Sequence, residues 1–401
     1  MKSSEQMIAD AIARTPPGQL PQCPRFVPMT MTYEDDVEPL EAPKFRILAQ
    51  ITTGSFAGFV SSHVFAATVK KQFSNAHLAV YHRNDRPFKN DIVALNPAID
   101  QVIEPAEDGS VTLDDFEVTY RTYRMKQRNQ NPQWYQDGMH WWDFIIAPTM
   151  AADMRMTGWG KPARLVVPRD RENELDLQLA TQGIDPARWH VVLHYRDPSW
   201  KHVAANWLRD ADPALYLDVA ARIINELGGQ VVRIGHPGMT PWPAMRGLAD
   251  LSEASTMAQA HAVSKARFFL NGGSGAFMLA MGFGVPCLAV CTPDVWGGFG
   301  DGHLMLAQHL IGPDGKRIPP HVAHEREMLS TQAITALVRN HGYRVIKNSA
   351  DEIMAGCRAM MEQRPAAEAA NEPAPPNRFM WPPRVANPWF LLDFPELSPG
   401  A

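Results

Sequence analysis

Basic charge is in short supply in this 401-residue chain, where 38 Lys and Arg stand against 43 Asp and Glu for a net charge of −5. Nucleic-acid binding draws its affinity from clustered Lys and Arg on phosphates, so a nucleic-acid partner is not expected. No run of the sequence approaches the roughly 18–20 consecutive apolar residues of a membrane span. The first 30 residues lack the basic-then-apolar layout of a signal peptide. Cysteine is sparse too. Cys23, Cys287, Cys291 and Cys357 include no Cys-x-x-Cys pair, which argues against a disulfide framework and against a cysteine zinc site. A Gly-Lys-Ser/Thr phosphate loop is missing, and no Gly-x-Gly-x-x-Gly follows the first apolar strand, which disfavours nicotinamide and flavin enzymes. These absences describe a reduced, cytoplasmic protein with no resident cofactor.

What is present is ordinary globular composition, 45% hydrophobic and 20% charged, with enough chain for two domains. The 34 prolines concentrate toward the termini, and several of the 11 tryptophans sit beside polar residues. Residues 1–44 read as a Pro-rich leader. From Phe45 to Ile51 an apolar strand runs into the turn Thr52–Gly58, followed by a helix with Val60, Val64, Ala67 and Val69 near helical spacing. Further strands are expected at His77–Tyr81, Gln101–Ile103, Phe144–Ala147 and Leu165–Val167. A second alternation begins near residue 187: strand Trp189–His194, helix Asp212–Leu227 with Asp212-Pro213 as cap and first residue, strand Gln230–Ile234, and helix Met257–Ser264. It continues with strand Phe268–Leu270, the turn Gly272-Gly273-Ser274-Gly275, a helix from about Ala276, and strand Cys287–Val290. Such alternation predicts an α/β fold of two doubly wound, Rossmann-like domains facing a cleft, over 45–186 and 187–346. Residues 347–401 are expected to add a helix (Ala350–Glu362) and a Pro- and aromatic-rich tail lying on the body.

Chemistry gathers at strand ends. Gly272, Gly273, Ser274 and Gly275 precede a helix whose free N–H groups and dipole favour an anion. Arg196 and Lys201, just past the strand Trp189–His194, offer a bidentate fork and a point charge for a diphosphate. Arg233 and Gly235 repeat that placement at the next strand; a Pro-Gly turn at a strand end accounts for them equally well. For a catalytic base the candidates are His63, a turn into the first helix, and Asp137 in the aromatic-polar stretch Asn131–Asp143. His321, His324, Glu325 and Glu327 cluster without the His-Glu-x-x-His order of zinc proteases, and read as a solvated helix start. No metal site is expected.

Five segments together resemble the GT-B class of glycosyltransferases, and more narrowly a largely uncharacterised bacterial family within it. They are Tyr195-Arg196-Asp197-Pro198-Ser199, Leu208-Arg209-Asp210-Ala211-Asp212, Val231-Val232-Arg233-Ile234-Gly235, Gly272–Gly275 and Phe283-Gly284-Val285-Pro286. Asn96-Pro97-Ala98-Ile99-Asp100 is similar to a first-domain segment of bacterial heptosyltransferases, whose donor loop carries Asp and His where this chain has Gly273 and Met278. The resemblance implies metal-independent transfer of a sugar from a nucleotide-sugar co-substrate. The first domain would face the acceptor and the second would hold the donor. Implied acceptors are a glycan, a lipid-linked precursor or a protein, with peripheral membrane association through a lipid-linked acceptor. A sugar-nucleotide epimerase or hydrolase, or a non-catalytic nucleotide- or glycan-binding protein, would suit the same fold.

Overall fold

The computed structural model describes residues 45–73, 75–103, 110–113, 116–119, 144–146, 162–199, 207–294, 302–362, 378–380 and 390–398. The leader, Asp137 with its aromatic stretch, Lys201 and much of the tail lie outside these residues.

The protein is mixed α/β, with a large parallel sheet. The N-terminal strands are β1 (Phe45–Gln50), β2 (Ala76–Tyr81) and β3 (Gln101–Ile103), followed by the hairpin strands β4 (Ser110–Leu113) and β5 (Phe116–Thr119), and by β6 (Phe144–Ile146). Four of them form a sheet in the order β3-β2-β1-β6. Between β1 and β2 runs α1 (Phe56–Lys70), started by Ser55, whose side chain accepts from Gly58 N. Buried residues surround α1 over Phe59–Val69, the mark of a helix covered on more than one side. A short α2 (Phe88–Ala94) precedes β3.

The expected strand Leu165–Val167 is not one. Residues 162–168 are a connector held by three neighbours: Ala163 N donates to Thr68 Oγ1 (2.9 Å), Leu165 N to Gly282 O (2.8 Å) and Val166 N to Leu95 O (2.8 Å). An apolar run of three can thus satisfy its amides outside any sheet.

After the connector come α3 (Arg169–Thr181), β7 (His190–Tyr195), α4 (Pro213–Glu226), β8 (Gln230–Arg233), β9 (Leu248–Asp250), α5 (Thr256–Lys265) and β10 (Phe268–Gly272). Then follow α6 (Phe277–Phe283), β11 (Cys287–Thr292), β12 (Leu304–Ala307), β13 (His309–Ile311), β14 (Arg317–Ile318), α7 (Pro320–Glu325), α8 (Thr331–His341), β15 (Arg344–Ile346), α9 (Ala350–Glu362), β16 (Arg378–Met380) and β17 (Phe390–Leu392). The large sheet has the order β16-β17-β12-β11-β10-β7-β8-β9, parallel throughout except that β16 runs antiparallel to β17. Strands β8, β10 and β11 are buried along their whole length, as expected for a parallel sheet covered on both faces. On one face α4 and α9 supply Tyr216, Val219, Ile223, Ile353, Met354 and Met360 to the core. Full burial of such side chains is worth about 1.5–3 kcal/mol each.

The chain order of the strands decides where a ligand can sit. From β7 the chain steps outward through β8 and β9, then returns to add β10 on the other side of β7 and continues to β11 and β12. The direction reverses between β7 and β10. Open α/β sheets bind ligands at the carboxyl ends of the strands that flank such a reversal.

Candidate functional site

Tyr195 ends β7 and Gly272 ends β10, side by side in register. The residues that follow them line the switch point. Arg196 N donates to Gly272 O (3.2 Å), and Arg196 O accepts from Ala211 N (3.0 Å), so the backbone of Arg196 is held on both sides. Its guanidinium is mostly buried and donates from Nε to Asp210 Oδ1 at 3.0 Å.

A second guanidinium stands close by. Arg209 donates from Nε to Gly273 O (2.9 Å). Burial, and then the positive charge of Arg196, hold its pKa below the usual arginine value. Two cations that repel each other in a partly dried crevice are relieved by an anion lying between them. Lys347, just after β15, is likewise held down by burial, while Asp210 and Asp212 pull the other way. The position of Arg209 is fixed from behind: Gln308 Nε2 donates to the carbonyl of Leu208 and to Cys291 O. Neither Arg209 nor Lys347 stood out in the sequence. Arg209 was visible only as part of the Leu208–Asp212 segment, and Lys347 lies 75 residues beyond Gly272.

The turn after β10 leads into its helix where expected. Helix α6 has Ala276 as N-cap and begins at Phe277, spans 7 residues, and has no side-chain cap. A helix this short contributes little dipole, so an anion would rest on the turn itself and on the arginines. Gly273 takes φ +68°, a conformation that L side chains rarely adopt, and it presents its carbonyl to Arg209. The Gly273 and Gly275 amides donate to no backbone acceptor among the described residues. Ser274 is engaged rather than free: its Oγ donates to Asn271 Oδ1 (2.8 Å), lies 2.6 Å from His194 Nδ1, and accepts from Ala276 N (3.3 Å). The Ser274 side chain therefore braces the loop. Burial, followed by the charges of His236 and Arg233, pushes the His194 pKa down to about 3, so its imidazole is neutral at physiological pH.

Arg233 and Gly235 are not brought to this crevice. Arg233 is fully buried, donating to Asp250 Oδ2 (2.8 Å) and to Tyr195 OH (3.0 Å), with its guanidinium 4.6 Å from the Trp242 ring centroid. It braces the core under the crevice floor. The Gly235 amide is taken by Gln259 Oε1 (3.0 Å), and the space a Cβ would need is filled by the Met239 thioether. Gly272 has a packing role as well, since a Cβ there would strike the Tyr216 hydroxyl.

His63 also lies away from this crevice. It is fully buried in α1, with its ring against Phe59 (centroids 4.6 Å apart) and Nδ1 3.4 Å from Asn96 Nδ2. Burial, then the charges of His82 and Lys89, hold its pKa down to about 3. An imidazole closed off in this way does not meet an acceptor.

Beside α6 lies a pocket of about 260 Å³ formed by the end of β1, the turn after it and the first turns of α1, with Met278 reaching in from α6. The two helices approach closely because Gly275 carries no side chain: a Cβ there would stand 2.6 Å from Ala57 Cβ. The pocket and the Gly273–Gly275 turn are thus neighbours along one short stretch of chain.

Among the described residues, no group of three His, Cys, Asp or Glu side chains is placed to hold a metal ion. The one Asp-x-Asp triplet, Asp210-Ala211-Asp212, is internally engaged, Asp210 by Arg196 and Asp212 by Ala214 N (2.9 Å) at the start of α4. The three described cysteines are free and buried. No described helix is long and apolar enough to cross a membrane.

No protein-family profile matches the chain, and none of the curated proteins matches it in sequence. Solved structures similar to it include a glycosyl transferase family 9 protein from Veillonella parvula DSM 2008, at 11% identity and TM-score 0.49, covering 80% of this chain and 98% of that one. Another is the E. coli ADP-heptose lps heptosyltransferase II, at 12% identity and TM-score 0.47, covering 79% and 98%. A third is the E. coli heptosyltransferase WaaC with ADP, at 13% identity and TM-score 0.39, covering 73% and 98%. The functional reading rests on the chain's own residues.

Proposed function

We propose that this protein is a glycosyltransferase that takes a sugar from a nucleotide-sugar donor. The observation that carries the reading is the coincidence at the β7/β10 switch point. The backbone of Arg196 and the guanidinium of Arg209 both hold the glycine turn, whose Gly273 and Gly275 amides donate to no backbone acceptor among the described residues, where an α/β sheet offers its ligand crevice. A diphosphate satisfies both guanidiniums and the turn at once.

In the reaction, charge develops on the leaving diphosphate as the bond from the sugar breaks. Arg196, Arg209 and the Gly273 and Gly275 amides would stabilise that charge from fixed positions, which is the role a metal ion plays elsewhere. The pocket beside α6 adjoins the turn and is where the sugar and the acceptor hydroxyl would meet. The base that removes the acceptor proton is not His63, given its burial. Asp137 remains the proposed base, and Lys201 a further phosphate ligand. The acceptor class is a glycan, a lipid-linked precursor or a protein.

A thermal-shift screen with UDP-, GDP-, ADP- and CMP-sugars, followed by an assay for released nucleotide, tests this reading. The expected result is a rise in melting temperature with one donor class, and acceptor-dependent nucleotide release with that donor. Release without acceptor would indicate an epimerase or hydrolase. Absence of any shift would end the donor-site reading.

A further inference from the structure

We infer that the pocket beside α6 is a subsite for an uncharged, hydroxyl-rich ring, and that it selects neutral sugars over carboxylated or phosphorylated ones. The inference concerns binding; its place in transfer rests on the glycosyltransferase reading above.

The lining carries no ionisable side chain. A carboxylate or phosphate drawn into it would lose hydration with no counter-charge in return.

Two of the hydroxyls are also set up to accept rather than donate. A serine hydroxyl has one proton and two lone pairs. Ser61 and Ser62, both buried, donate that proton to the same backbone carbonyl, Gly58 O, at 3.0 and 2.7 Å. Ser55 Oγ accepts from Gly58 N, and Thr53 Oγ1 accepts from Ser55 N, while the two oxygens lie 3.2 Å apart, so one of the two hydroxyls donates to the other and the pair keeps one proton for a ligand. The two buried serines turn lone pairs toward a ligand. A carboxylate or phosphate group brings only acceptors to those lone pairs. A sugar ring brings a donor with each hydroxyl, and its C–H face fits the apolar part of the lining at Ile51, Ala57 and Met278. A volume of about 260 Å³ suits one ring rather than an oligosaccharide.

The test uses the full-length protein and saturation-transfer NMR with methyl glycosides of glucose, galactose, mannose and N-acetylglucosamine. Glucuronic acid and glucose 6-phosphate serve as charged probes. At least one neutral glycoside is expected to bind, more tightly than either charged probe. Its affinity should fall at least threefold in Thr52→Val or in Ser62→Ala, two variants that remove single hydroxyls from different elements. Tighter binding of a charged probe, no binding by any neutral glycoside, or unchanged affinity in both variants would overturn the inference. None of these probes carries a nucleotide, so a failure here leaves the diphosphate crevice to its own test, the thermal shift with nucleoside diphosphates.

Discussion

The hydroxyl of Ser274 lies 2.6 Å from Nδ1 of His194, joining the ends of β10 and β7 across the switch point. The Ser274 proton is spent on Asn271 Oδ1, so the contact requires His194 to carry its proton on Nδ1 and donate it. That tautomer is expected in nitrogen-detected NMR of the wild type. Ser274→Ala leaves His194 Nδ1 and Asn271 Oδ1 without this partner. The expected cost is about 1–3 kcal/mol in urea denaturation, together with weaker nucleotide binding as the turn loosens.

Acid should weaken the fold before the carboxylates titrate. His63 is neutral in the folded chain down to about pH 3, but an unfolded histidine gains its proton near 6.5. The unfolded state therefore binds more protons between those limits. Stability is fully present above about pH 6.5 and falls as pH drops toward 3, by up to about 1.4 kcal/mol per pH unit from this one group. His194 works in the same direction over the same window. Urea midpoints measured from pH 7.5 to 5 should decline, and His63→Gln should flatten the slope by close to one proton.

Arg196 and Arg233 look alike in sequence, each at a strand end, yet they should behave differently. Arg233→Ala leaves Asp250 without its buried partner and removes the guanidinium between Tyr195 and Trp242. Removing a fully buried guanidinium packed between two rings destabilises the fold, so its signature is a lowered melting temperature. Arg196→Ala should leave the fold near wild type and act on ligand binding.

Close packing of α1 on the Gly273–Gly275 turn predicts a rescue. Gly275→Ala places a methyl group against Ala57 and should cost about 1–3 kcal/mol. Ala57→Gly in the same chain removes the obstructing methyl. The double variant should then recover most of the loss, which a double-mutant cycle of melting curves would show.

Much of the architecture could be read from the pattern of apolar runs. The strands around β7, β8, β10 and β11 and the helices α4 and α9 lie within a residue or two of their sequence-based positions, because fully buried parallel strands and capped amphipathic helices leave clear signals. Short or charged elements gave no such signal. In α3 only Leu175 and Leu179 are buried, and the chain around them is charged; β9 is three residues long. Leu165–Val167 misled because its apolarity serves a connector. At the proposed site, the place of Arg196 after a strand could be read from the sequence. Arg233 carried the same local signature, and what separates the two is Asp250, Tyr195 and Trp242, partners distant in sequence. For His63 the sequence left a base and a core histidine both open, because helical spacing does not say which face of α1 is covered, and here nearly every face is.

The most direct measurement is isothermal titration of UDP, GDP and ADP into the wild type, Arg196→Ala and Arg209→Ala. Loss of one charge-assisted contact to a diphosphate is worth about 1.5–3 kcal/mol, or roughly 10- to 100-fold in affinity. The account predicts that one nucleoside diphosphate binds the wild type and that each arginine variant loses affinity on that scale, with the fold intact. Affinity unchanged from the wild type in both variants, or no binding of any nucleoside diphosphate to the wild type, would contradict it.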